Sequence, residues 1–236
     1  MQTRLGIISA LAEEQHGLIE AMENPRRAVL GMREYTSGKL WNVDTVAVLS
    51  RIGKVAAAMT AATLVERFGV THILFTGVAG SADFDVRVGD IVIAESLVQH
   101  DMDASPLFPR FEVPLTGLAQ LPSDRELSNR LAAAARRFLD GENGPVLHRG
   151  LIGSGDQFIH DGVRLAALKN ALPDLLAVEM EGAAVAQVCF ELGVPFAVIR
   201  TISDNANESA ATDFMHFVQT VASRYSFGIV KAFCEG

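Results

Sequence analysis

The chain has 236 residues, 49% hydrophobic and 20% charged, which is the composition of a globular protein able to bury a sizeable core. Its net charge of −8, from 20 basic and 28 acidic residues, comes with no lysine–arginine cluster, so nucleic acid and anionic membrane are not expected partners. No apolar run reaches the ~18 residues of a membrane span. The two cysteines, Cys189 and Cys234, with the first on an apolar helix face, point to a reducing, cytoplasmic compartment.

Leu5 to Ala10 reads as an apolar strand. Arg4 followed by LGIISALA has the outline of a signal peptide, but its apolar stretch is short and its positive region is one arginine, so the strand is the better reading. Ser9 offers an N-cap for a helix from about Ala12 to Met22. Helical spacing puts Glu14, Leu18, Ala21 and Met22 on one face and Glu13, His16, Gly17 and Glu20 on the other. Glu13 is therefore a solvated charge, while Glu14 is drawn to the core side at the end of the first strand, as a functional carboxylate or as a cap on the helix dipole.

Arg33–Leu40 and Thr45–Ser50, separated by Trp41-Asn42-Val43-Asp44, form a predicted hairpin. Gly53 to Phe68 is an alanine-rich helix suited to close packing on a sheet or a partner subunit. Thr71 to Thr76 is a buried-type strand ending in a glycine-rich turn, Gly77-Val78-Ala79-Gly80. The turn is neither GxGxxG nor a P-loop, so neither a dinucleotide nor a triphosphate site is expected, and no cofactor. Val88 to His100 is a longer strand, followed by a proline- and aromatic-rich loop to Leu115, a candidate lid or subunit contact. His100, Asp101 and Asp103 lack a second histidine or a cysteine at useful spacing, so no metal is expected.

Ser123 to Leu139 is an amphipathic helix with Ser123 as its cap. Val146 to Gly153 is a strand, and Phe158, after the turn at Gly155, is either a stacking platform or a core residue. A helix near Asp161–Leu172 and a final long helix from about Thr212 to Phe233 complete the outline. Alternating strands and helices without a linker or repeat predict one domain, residues 1–236. Its fold class is α/β: a three-layer α/β/α sandwich with a twisted mixed central sheet.

The stretch AVEMEGAAVAQVCFELGVPFAVIRTISDNAN, Ala177 to Asn207, carries polar groups where packing alone would not want them. Glu181 opens a helix and points with the apolar stripe of Ala184, Val185, Val188 and Cys189. In the strand that follows, Phe196, Val198, Arg200, Ile202 and Asp204 share one face. An arginine inside that run needs a partner, and Asp204 sits at the carboxyl end, where open α/β sheets place ligand groups. A structural ion pair among Glu181, Arg200 and Asp204 is the alternative to a functional cluster.

Taken together, GIISALAEE, SRIGKVAAA, TGVAG, VGDIVIAE, GLIGSGDQFI, AVEMEGAAVAQVC and RTISDNAN, in this order over almost the whole chain, resemble the methylthioadenosine/S-adenosylhomocysteine nucleosidases of the nucleoside phosphorylase/nucleosidase superfamily. The resemblance implies a nucleoside phosphorylase-like fold, a homodimer, no cofactor and hydrolysis of the bond between adenine N9 and ribose C1′ in small adenine nucleosides. It implies Asp204 as the general acid at adenine N7, with Ser203 in support. Glu14 would activate the attacking water, with Arg200 orienting that carboxylate. Glu181 would hold the ribose hydroxyls and Met180 would pack on the sugar. Phe158 would stack on the base, the Ile159 backbone would read its edge and Phe214 would line the pocket. Val78 stands where many relatives carry a serine near the water, and Leu11 where a methionine is common. A phosphorolytic relative would need arginines converging on phosphate, and a storage or binding protein on the same fold could dispense with the acidic groups; this chain keeps Glu14, Glu181 and Asp204.

Overall fold

A computed structural model describes residues 3–140 and 144–236. The strands run β1 (Leu5–Ser9), β2 (Glu23–Leu30), β3 (Arg33–Leu40), β4 (Val43–Leu49), β5 (His72–Ser81), β6 (Ile91–Gln99), β7 (Leu121–Pro122), β8 (Leu147–Ser154), β9 (Leu175–Glu179) and β10 (Phe196–Asp204). The helices are α1 (Ala12–Gln15), α2 (Lys54–Phe68), α3 (Arg125–Leu139), α4 (Gly162–Ala171), α5 (Gly182–Leu192), α6 (Ala210–Phe217) and α7 (Ser223–Cys234). A π-helical turn, Val218–Ala222, joins α6 to α7, so the predicted C-terminal helix is one helical run with a bulge in it.

The sheet order is β10-β6-β8-β9-β5-β1-β4-β3-β2, with β7 on β6. β1 lies parallel between β4 and β5, while β6 runs antiparallel to β10, so the sheet is mixed. β10 also pairs with β5, and β5 with β9, so β5, β10, β6, β8 and β9 close on themselves. The period of two sorts the strand residues into two layers. Ile8, Val46, Val48, Ile73, Phe75 and Val198 face the small residues of α2 and α5. Ile7, Ala47, Leu74, Ile93, Ala197 and Ile199 face α3 and α7. That is the expected three-layer arrangement; closure of half the sheet depends on long-range pairing that no local pattern carries.

Four local expectations need correction. The predicted helix Ala12–Met22 stops at Gln15, and Gly17 turns the chain with a φ of 86°. Glu14, Leu18 and Met22 are nonetheless buried and Glu13, His16 and Glu20 exposed, because the turns that follow keep the same sidedness. β2 was not expected, since all eight of its residues are exposed and an edge strand with two wet faces shows no hydrophobic alternation. It is joined to β3 through Gly31 and Met32 and β3 to β4 through Trp41 and Asn42, all four at positive φ as two-residue hairpins require. Gly77–Gly80 is not a turn: β5 continues through it to Ser81.

The fourth concerns α3, whose cap is Asp124 rather than Ser123: the Asp124 carboxylate accepts the Leu127 N–H at 2.7 Å. The Ser123 hydroxyl is buried with no hydrogen-bond partner. Asp124→Ala should therefore lower stability by about 1 kcal/mol, and Ser123→Ala should change it by less than about 0.5 kcal/mol. Urea unfolding midpoints of the two variants check this; equal losses would return the cap to Ser123.

Candidate active site

The carboxyl ends of β1, β5, β9 and β10 open on a cavity of about 360 Å³. Glu14, Val78, Phe158, Ile159, Met180, Glu181, Ser203, Asp204 and Phe214 all line it. These residues come from six separate stretches of chain, and the structure brings every one of them to the same cleft. Arg200 does not line it; its side chain lies behind the wall, 1% exposed.

Glu14 is held at the start of α1, where its Oε2 accepts the N–H groups of Ala10 at 2.8 Å and Leu11 at 2.9 Å. Its Oε1 accepts the Val78 N–H at 3.1 Å. Burial raises its pKa, opposed by the Leu11 N–H, the charge of Arg200 and the N–H groups of Ala10 and Val78. Arg200 thus acts on Glu14 through its field, with no direct hydrogen bond between them.

Asp204 ends β10, 1% exposed. Ser203 donates to its Oδ2 at 2.8 Å and the Ala206 N–H to its Oδ1 at 2.9 Å. Burial raises its pKa against those two donors. Glu181 precedes α5, and its Oε1 accepts the Gly53 N–H from the start of α2 at 2.8 Å. Burial, then the charge of Glu179, pushes Glu181 up to about 8.

The alternative reading, a structural ion pair among Glu181, Arg200 and Asp204, is not what forms. Arg200 pairs instead with Glu179, Nη2 to Oε2 at 2.6 Å and Nε to the same oxygen at 3.2 Å. Its Nη1 donates to the carbonyls of Ile199 and Phe75, and its guanidinium lies 4.1 Å from the centre of the Phe75 ring. Glu179 also accepts the Gly182 N–H and the Ser154 hydroxyl, which in turn accepts the Ala183 N–H. Sequence reasoning missed Glu179 although it sits in the same VEMEG run as Glu181. A glutamate at a strand end, two residues from one already assigned, gives no local sign that an arginine twenty-one residues later will turn to it.

Two further placements follow from glycine. A Cβ on Gly77 would lie 3.0 Å from Glu14 Oε1, and one on Gly80 would lie 2.9 Å from Asp204 Oδ1. The glycines of β5 make room for two of the carboxyl groups. Phe158 is 36% exposed and meets Phe214 edge-on with ring centres 5.8 Å apart, so it is a cavity wall and not a core residue. Among the described residues no group of three or more His, Cys, Asp or Glu is arranged to hold a metal ion, and no helix is long and apolar enough to cross a membrane.

Residues 4–235 match the phosphorylase superfamily. The 5′-methylthioadenosine/S-adenosylhomocysteine nucleosidase of Shewanella halifaxensis is 37% identical over 215 residues, 91% of this chain and 92% of the relative. The crystal structure of the Neisseria meningitidis nucleosidase of the same name, in complex with methylthio-immucillin-A, has a TM-score of 0.92 at 35% identity, covering 99% of both chains. The futalosine hydrolase of Helicobacter pylori has a TM-score of 0.87 at 34% identity, covering 98% of this chain and 97% of that one. The chain belongs to the methylthioadenosine/S-adenosylhomocysteine nucleosidase family of that superfamily.

The raised pKa of Glu181 has a thermodynamic signature. Unfolded, the carboxyl titrates near 4.5; folded, it holds its proton to about pH 8. Between those values the folded chain binds the extra proton, so the stabilising contribution is complete below about 4.5 and is lost as pH rises towards and through 8. Glu181→Gln should flatten the fall in melting temperature over that window relative to the parent protein. Parallel slopes in thermal unfolding from pH 5 to 8.5 would show that the folded carboxyl is not protonated there.

Proposed function

We propose that this protein is an N-glycosyl hydrolase that cleaves methylthioadenosine, S-adenosylhomocysteine and related adenine nucleosides to adenine and the ribose derivative. The observation that carries the reading is the convergence of Glu14, Glu181 and Asp204 on one cavity, each in a different electrostatic setting. Breaking the N9–C1′ bond builds positive charge on the sugar and negative charge on the purine, as in other oxocarbenium-like glycosyl transfers. Asp204, its pKa raised by burial, gives its proton to N7 as the base leaves. Glu14 takes a proton from the water that attacks C1′, so one proton enters at the base and one leaves at the water. The two carboxyl groups then exchange protons with solvent to reset.

Glu181 holds the ribose hydroxyls, and the growing cation on the sugar favours its charged form. Met180 packs on the sugar, Phe158 and Phe214 flank the base, and the Ile159 backbone reads the base edge. Val78 leaves the water to Glu14 alone on that side, because its own contact there is a backbone N–H to Glu14. Phosphorolysis is the poorer reading: among the described residues no lysine or arginine lines the cavity to meet a phosphate. A binding or storage role gives no reason to bury three carboxyl groups around a nucleoside-sized space. We read residues 1–236 as a single nucleosidase domain that works as a cytoplasmic homodimer. Exposed Ile52, Val55 and Met59 near the cavity mouth, and Leu107 and Leu115 on the loop after β6, support a subunit contact.

Purified protein incubated with methylthioadenosine should release adenine at a rate independent of added phosphate. No release from this compound, S-adenosylhomocysteine or aminodeoxyfutalosine would leave the binding reading ahead. Asp204→Asn should lower kcat by at least ~100-fold, the lower end of general-acid contributions, while substrate still binds. Activity should also fall as pH rises through the Asp204 pKa, since the acid form is the working one; a rate that climbs through that range would remove Asp204 from the role.

A further inference from the structure

The sugar side and the base side of the cleft are tied together by a ring of polar contacts outside it. Lys54, the first residue of α2, donates from Nζ to Asp101 Oδ1 at 2.6 Å and to Gln99 Oε1 at 3.1 Å. Asp101 Oδ2 accepts the Asp156 N–H at 2.9 Å. Asp156 Oδ1 accepts the Lys54 N–H at 2.7 Å and closes the ring. One residue before Lys54, Gly53 gives its N–H to Glu181. One residue after Asp156 begins the turn Gln157-Phe158-Ile159, all of which lines the cavity.

We propose that Lys54, Asp101 and Asp156 act as one positioning unit that holds the ribose-binding carboxylate Glu181 in register with the base-binding turn at 157–159. None of the three carboxylate–cation or carboxylate–amide contacts touches the reacting atoms. Their effect runs through the Gly53 N–H on one side and the backbone after Asp156 on the other. The geometry leaves little slack: Gly53 has a φ of 99°, and a Cβ there would lie 3.0 Å from Asp156 Oδ1. The side chains of Lys54 and Asp101 are 17% and 18% exposed, enough shielding for the pair to hold its geometry where a fully wet pair would not. Asp101 is also the first residue after β6 but one, so the same ring anchors the root of the 100–115 loop. Burial raises the Asp101 pKa, but the Lys54 and Asp156 hydrogen bonds outweigh it and the group ends below its usual value, as a charge fixed by its partners does.

This inference rests on the hydrolytic reading, and the experiment separates the two. Steady-state rates on methylthioadenosine are compared for the parent protein, Lys54→Met, Lys54→Arg, Asp101→Asn and the Lys54→Met/Asp101→Asn double variant, each with its melting temperature. Met keeps the apolar stem of lysine and removes the charge. Lys54→Met should lower kcat by ~10- to 100-fold, the scale of a misplacement of the order of 1 Å. KM should stay within about threefold, since the transition-state grip and not uniform binding is lost. Lys54→Arg should restore most of the rate, and the double variant should be no slower than Lys54→Met, because the two residues act through one ring. Unchanged kcat in Lys54→Met, a raised KM with intact kcat, losses that multiply in the double variant, or a loss that follows the fraction unfolded would each overturn the proposal. If Lys54→Met does not fold, Asp101→Asn decides alone: a lower kcat at an unchanged melting temperature supports the unit, and parental kcat overturns it. A parent protein that releases no adenine overturns the hydrolytic reading itself.

Discussion

The buried pair of Arg200 and Glu179 sets the terms for everything around it. A guanidinium in the middle of a nine-residue strand with every residue buried is costly unless its charge and all its donors are met. Here one carboxylate, two backbone carbonyls and the face of Phe75 meet them. Removing one partner of such a pair typically costs about 3–5 kcal/mol, and a desolvated cation over an aromatic face adds about 2 kcal/mol. The pair joins β9 to β10 and, through the Phe75 carbonyl, to β5. Glu179 in addition fixes the first turn of α5 through the Gly182 N–H, which places Glu181 at the cavity edge. The same two charges then act on the site in opposite senses: Arg200 lowers the pKa of Glu14 and Glu181, and Glu179 raises that of Glu181.

The three carboxyl groups of the cleft are told apart by their donors. All are driven towards the neutral form by burial. Glu14 meets three backbone N–H groups and the field of Arg200, all of which favour its charged form. Asp204 meets a hydroxyl and a single N–H, and burial raises its pKa against them. Glu181 meets one N–H and stands beside another carboxylate, and it is pushed up to about 8. In the proposed reaction a cation developing on the ribose would favour the charged form of Glu181, so that its grip would be strongest as the bond breaks.

Much of this was legible from spacing. The period of two placed Phe196, Val198, Arg200 and Ile202 on one face of a buried strand, but a register shift against β5 between Ile202 and Asp204 breaks it before Asp204, which was expected on the same face. The period of 3.6 separated Glu14 from Glu13, even though the helix that justified the separation ends after one turn. The motif order placed the cleft residues, and the structure brings them to one cavity. What spacing could not supply was pairing across the fold. The partner of Arg200, the closure of β5 with β9 and β10, and the Lys54–Asp101–Asp156 ring all join residues whose separation in the chain carries no period. β2 escaped for the converse reason: it has a regular conformation but no buried face to print it on the sequence. The cap of α3 shows the resolution limit of local reading, where two adjacent residues of capping type, Ser123 and Asp124, differ only in which one the preceding chain turns towards the helix.

The glycines of β5 show how a site built from buried acids fits into a close-packed sheet. Interiors have few voids larger than a water molecule, so a carboxyl group that must sit against a strand needs that strand to give up a side chain. β5 does so twice, at Gly77 for Glu14 and at Gly80 for Asp204, while its other residues there, Val78 and Ala79, keep the strand's pairing with β10. Glycine in a strand interior costs conformational entropy and side-chain packing. Here that cost lies beside Asp204 and Glu14 and not at Thr76 or Phe75, where β5 packs normally. The run TGVAG, which as a sequence reads as a glycine-rich turn, is thus better understood as a strand thinned at two points, each matched to a carboxylate arriving from a different neighbour: Glu14 from α1, just after β1, and Asp204 from the end of β10.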